Sequence, residues 1–388
     1  MLILYGANIL RGFCIKILIT IFFINDTWYI ISYILPGGRF YMEKISPKQF
    51  LYNVLSGVAI AIVAGLVPNA ILGELLKFLA SKNTIFQTPL QIVLAIQFTV
   101  PLLVGTLIAM KFKLQPLATA VVASSAFVGS GVAQFKNGAV VLVGVGDLIN
   151  TMITAAIAVL FILIIGNRFG SLGLIFLPTL VGVSASLIGV TILPYIKLIT
   201  TGIGNLINTF TELQPILMSI LIAIVFSFLI ISPISTVATS LAIGITGLAA
   251  GSASIGIVAC EAALVAGTIK INRAGVPLTI FLGGVKMMMP NMVRHPMILL
   301  PVFTTAIISG FVGGLLEISG TKESAGFGII GLIGPISAFK LMEADPLMRL
   351  LLVFIAFFVV PFIVGFTVNA IYMKIFKLYD REIFKFLA

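Results

Sequence analysis

Apolar stretches of roughly eighteen residues or more recur along this chain, each long enough to cross the ~30 Å hydrocarbon layer as a helix. In lipid every backbone amide and carbonyl must be satisfied within the protein, so repeated stretches of this kind demand helices. Composition agrees: of 388 residues, 60% are hydrophobic and 9% charged, with a mean hydropathy of +1.24. A soluble chain carries roughly 25% charged residues. There is too little polar surface here to cover a globule in water, which excludes a soluble enzyme. The sequence predicts an all-α, polytopic membrane protein of about ten spans.

The expected spans are 48–68, 89–110, 115–134, 147–166, 171–196, 213–232, 234–250, 252–269, 297–316 and 347–374. Ser46-Pro47 supplies a helix start with proline in the first turn. Two further apolar segments, 277–290 and 326–337, are broken by Gly and Pro and are expected to be re-entrant hairpins. Segments 138–146 and 198–212 are too short or too amphipathic to cross. Placing the first span's start in the cytoplasm puts most Lys and Arg on that side, with both termini cytoplasmic, in a bacterial cell membrane. Gly129-Ser-Gly-Val-Ala133 parallels Gly251-Ser-Ala-Ser-Ile255, and Ile175-Phe-Leu-Pro178 parallels Ile298-Leu-Leu-Pro301. These pairs suggest an internal duplication, a frequent plan among carriers.

Residues 1–41 read differently. Their apolar run, Ile17–Ile24, is too short to span, and no small-residue cleavage site follows it. The codons for Gly37-Gly38 can form a ribosome-binding sequence three codons before Met42. The expectation is a mistranslated leader or peripheral segment over 1–41, and one membrane domain over 42–388.

The net charge of +11 is scattered singly between apolar runs, as membrane topology requires, so no nucleic-acid partner is expected. Cys14 and Cys260 are isolated. A single histidine excludes a multi-His metal site, and no phosphate-binding GxxxxGK[ST] or TVGYG-type filter occurs. Neither a metal nor a cofactor is expected.

Ionisable groups inside spans are the candidates for function. Glu261 stands alone in an apolar run, as a cavity ligand or a structural hydrogen-bonding acid. Asp147 and Asn150 open a span on one helical face, where capping competes with ligand binding. Glu212 marks another span start. The stretch Gly283–Pro296 gathers Lys286, Asn291, Arg294 and His295 between glycines and prolines that forbid a regular helix. Its amide, guanidinium and imidazole suit a polyhydroxyl or phosphorylated ligand.

The runs Ile231-Ser-Pro-Ile-Ser-Thr236, Gly247-Leu-Ala-Ala-Gly-Ser-Ala253, Asn272-Arg-Ala-Gly-Val-Pro277, Lys286-Met-Met-Met-Pro-Asn291 and Ser324–Pro335 resemble the EIIC membrane subunits of the bacterial phosphotransferase system. The closest branch includes perfringolysin-regulator-like membrane proteins. The resemblance implies a sugar permease acting with separate EIIB and EIIA phosphocarrier proteins, in the bilayer, as a homodimer. Better-known EIIC proteins pair a histidine with a glutamate at the sugar. Here the histidine would be His295, while its partner, Glu212 or Glu261, stays open. Other readings are a ligand-sensing regulator of toxin expression without transport, and an ion-coupled carrier using Asp147 and Glu261 as proton relays.

Overall fold

The computed structural model describes residues 28–34, 40–136, 138–165 and 169–386. The expected leader falls mostly outside the described residues. Its described part, β1 (Trp28–Ile34), pairs antiparallel with β2 (Phe40–Ile45), so Met42 lies within a strand opposite Ser32.

Helix α1 (Pro47–Lys82) begins as expected: the Ser46 hydroxyl accepts from the Gln49 amide at 3.2 Å. Then follow α2 (Gln87–Phe98), α3 (Val100–Lys111), α4 (Pro116–Gly129) and a small hairpin of β3 (Ala133–Lys136) with β4 (Ala139–Leu142). Next come α5 (Leu148–Ile165) and a long helix, α6 (Gly173–Thr211). The second half holds α7 (Pro215–Ile231), α8 (Thr236–Ile243), α9 (Gly247–Thr268), α10 (Gly275–Phe281), α11 (Met289–Arg294), α12 (Leu299–Leu315), α13 (Ile333–Leu341) and α14 (Pro346–Ile375).

All ten expected segments carry helix, yet among the described residues only six helices are long and apolar enough to cross alone. The bent α2–α3 pair, turning by 46°, would make a seventh. The reason is length. At ~1.5 Å per residue, α4 and α7 reach only about 21 and 26 Å, and residues 234–250 break at Gly244, which takes a left-handed φ of +73°. The amphipathic run 198–212 continues α6 instead of ending it. Of the two paired runs proposed as a duplication, the first takes different backbones, 129–133 leaving a helix for a strand while 251–255 lies inside α9. In the second, 175–178 and 298–301 are both helical and near the start of a long apolar helix.

Close packing follows from small side chains. In lipid, helices gain little from burying apolar surface against one another, so backbone approach and van der Waals contact hold them together. Gly57 of α1 faces the Ile108 backbone of α3, and Gly105 of α3 faces Ala123 of α4. The central helix α9 is the extreme case, with 94% of its span buried between α7, α12 and α14. Gly256 meets the carbonyl of Ala223, and Gly251 meets that of Ile318.

Two unwound segments cross beside α9. Residues 232–235 separate α7 from α8, and a loop runs from 316 to 329. Side chains fix them: Thr236 Oγ1, just after the first, donates to the Gly326 carbonyl in the second, and Ser254 Oγ of α9 donates to that of Ser324, both at 2.8 Å. Gly247 and Gly320 exchange two backbone hydrogen bonds of 2.9 Å. Irregular backbone at membrane depth survives where it lines a cavity or is sealed by protein, and here it does both.

Candidate functional site

A cavity of about 740 Å³ opens where these unwound segments face the first half of the chain. It falls within the size range of small-molecule sites. Its wall combines Asn69 of α1, Gln97 of α2, the turn Val143–Ile149, Lys197 and Asn205 of α6, residues 233–238 and the loop at Gly283-Gly284. Asn69 and Gln97 are half-buried, and Asn69 Oδ1 has no hydrogen-bond partner among the described residues. Amides, hydroxyls, lysine side chains and one carboxylate, Asp147, therefore share a wall whose remaining side chains are apolar. Amides both donate and accept, and a carboxylate accepts from two neighbouring hydroxyls, so the set matches a polyhydroxyl ligand.

Asp147 Oδ1 accepts from the Asn150 amide at 2.8 Å, which makes it the cap of α5 while its side chain still borders the cavity. Asn150 is fully buried behind it. Its Nδ2 donates to the carbonyls of Gly129 at 2.5 Å and Gly189 at 2.8 Å, tying α4 and α6 to α5. Capping and a place on the cavity wall, set against each other in the sequence, are compatible at Asp147.

Lys286 also lines the cavity, but its ammonium is engaged. It donates to the carbonyls of Ser232, of Ile234 at 2.7 Å and of Leu229 at 3.4 Å. These are the carbonyls at the C-terminal end of α7 and just beyond it, where the helix dipole favours a cation. Three donors meet three acceptors, and the lysine closes an unwound helix end.

The other expected residues lie elsewhere. Asn291 is buried under the C-terminal residues, donating to the carbonyls of Ile383 at 2.9 Å and Lys385 at 2.8 Å. Asn272 does the same: its Nδ2 donates to Phe384 at 2.9 Å and its Oδ1 accepts from the Phe386 amide at 2.8 Å. Between them Phe384 is fully buried against Gly267. Arg294 is exposed and His295 half-buried, both outside the cavity wall. Glu212 is exposed at the end of α6.

Glu261 is fully buried in α9, outside the cavity wall, and neither carboxyl oxygen has a hydrogen-bond partner among the described residues. An unsatisfied buried polar group costs about 1–3 kcal/mol. Glu261→Met is therefore expected to raise unfolding stability in detergent by about that amount. A lowered midpoint would show instead that the carboxyl has a partner, such as an internal water.

The cavity residues that sequence reasoning overlooked had one visible signal. Lys197, Thr201, Asn205 and Asn208 are spaced to share one face of α6, and all four border the cavity. Asn69 and Gln97 had none, being single amides in apolar runs.

Among known families, the one described as phosphotransferase system, EIIC matches residues 52–386. Comparison with curated proteins and with solved structures returns no match.

Proposed function

Because this chain belongs to the EIIC family of the phosphotransferase system, we propose that it is the sugar-binding permease subunit of such a system and that the 740 Å³ cavity is its sugar site. Family membership makes it a multi-pass membrane component of a phosphotransferase permease. The reading adds which residues meet the sugar: Asp147, Asn69, Gln97 and Asn205. Separate EIIB and EIIA chains supply the phosphoryl group, and the subunit works as a homodimer. The observation that carries the reading is the meeting of these hydroxyl-matching side chains with the two unwound segments, the place where carriers built from broken helices hold their cargo. The sugar hydroxyls bridge the Asp147 carboxylate and the amides opposite, and a phosphoryl group carried by EIIB is transferred to one of them.

Two measurements test this. Vesicles containing the protein are expected to accumulate a sugar as its phosphate only with phosphoenolpyruvate and the soluble phosphotransferase proteins. Uptake that ignores phosphoenolpyruvate and collapses with a protonophore would replace this reading by an ion-coupled carrier. Asp147→Asn retains an acceptor for the Asn150 amide, so folding is expected to survive. The lost charge-assisted bond to a hydroxyl, about 1.5–3 kcal/mol, should weaken sugar binding roughly 10- to 100-fold. Unchanged affinity would remove Asp147 from the site.

A further inference from the structure

Outside the cavity, basic side chains gather where two spans begin at the same face. Pro47 opens the span of α1 and Pro296 the span that includes α12, and α11, just before Pro296, packs on α1. There the Arg294 guanidinium lies over the Tyr52 ring, 5.8 Å from its centroid. Lys48 stands one turn before Tyr52 on α1, and His295 follows Arg294 as the cap of α11. Lys48 and Arg294 are exposed, while Tyr52 and His295 are half-buried. None of the three basic side chains has a carboxylate partner among the described residues.

Among the described residues, the elements packed around His295 bring no unpaired carboxylate. From α1 come Lys48 and Tyr52, and from α11 Arg294. The C-terminal residues held by Asn291 bring Lys385 and Glu382, already paired with each other at 3.6 Å. Burial, then the Arg294 charge, then that of Lys48 hold the imidazole below its ordinary range. Beside the cluster, Leu51, Val293 and Met297 present exposed apolar side chains. Cations at the first turn of a span, flanked by apolar surface, match an amphiphile with an anionic head.

We propose that Lys48, Tyr52, Arg294 and His295 seat the phosphate of an anionic phospholipid, whose acyl chains run along Leu51, Val293 and Met297. A free phosphate ion offers the same head chemistry, but only a lipid also uses the apolar flank. Lipid phosphates lie at the depth where spans begin, and basic pockets between helices take such head groups. None of these residues lines the cavity, so the proposal stands or falls apart from the sugar reading.

The test uses the full chain in detergent, purified without a polyhistidine tag so that His295 is its sole imidazole. Native mass spectrometry with phosphatidylglycerol is expected to show one lipid bound about tenfold or more tighter than phosphatidylcholine. In the double variant K48Q/R294Q, which alters two exposed side chains and should fold normally, that preference should vanish. By NMR, phosphatidylglycerol should raise the titration midpoint of His295, because a nearby anion favours the imidazolium. Inorganic phosphate at millimolar concentration should move it far less. Equal phosphatidylglycerol binding by wild type and K48Q/R294Q would overturn the proposal. So would inorganic phosphate shifting His295 as far as the lipid does, which would make the occupant a soluble ion.

Discussion

Lys286→Met is expected to destabilise the protein by about 3 kcal/mol or more. The substitution keeps most of the side-chain volume and removes only the ammonium. That ammonium donates to three carbonyls, of Leu229, Ser232 and Ile234, at the unwound end of α7. A buried acceptor left without a donor costs about 1–3 kcal/mol, and a charged donor adds its attraction to the negative end of the helix dipole. The Leu229 carbonyl keeps the Ser232 amide at 3.2 Å and the Ser232 hydroxyl at 2.8 Å as donors, so the loss falls on the carbonyls of Ser232 and Ile234. Water from the adjoining cavity can recover part of it, which is why the figure sits in the lower half of the twofold sum. Denaturant or thermal unfolding in detergent measures it, with Lys286→Arg as the variant that retains the charge. A wild-type midpoint for Lys286→Met would show that water satisfies these carbonyls by itself.

Gly251→Ala should be equally damaging, for the opposite reason. The new methyl group would land on the Ile318 carbonyl, and both contact partners are backbone that cannot swing aside. The loop carrying Ile318 is itself fixed by the paired hydrogen bonds of Gly247 and Gly320. Overpacking of this kind costs about 1–3 kcal/mol and sometimes more. Gly202→Ala is the control. It lies in α6 with nothing near the position of an added Cβ, and there alanine should stabilise the helix by up to about 1 kcal/mol. The opposite signs separate packing from helix propensity. Equal effects at the two positions would mean that α9 and the loop can part without cost.

Hydropathy made the membrane class and nearly every helix legible, because apolar length is the property the bilayer reads. Which helices cross alone was not legible. A run such as 115–134 carries no charge, yet its helix stops at Gly129 and the chain turns into a strand from Ala133. The site was legible only in part. Asp147 stood out as an acid after glycines, and it does border the cavity. Lys286 and Asn291 stood out for the same reason, as polar groups among prolines and glycines. Their partners are main-chain carbonyls 52 and more positions away in sequence. Local spacing carries no trace of such acceptors, so a side chain that closes a helix end looks identical to one that awaits a ligand.

Asn272 and Asn291 bind main-chain groups of residues 383–386, and Phe384 fills the recess beside Gly267. During synthesis these partners leave the ribosome after every helix they fasten. Until residues 383–386 have been made, both asparagines are unmatched by these partners and Gly267 faces an open slot. Residues 383–386 therefore fasten together helices that were all made before them.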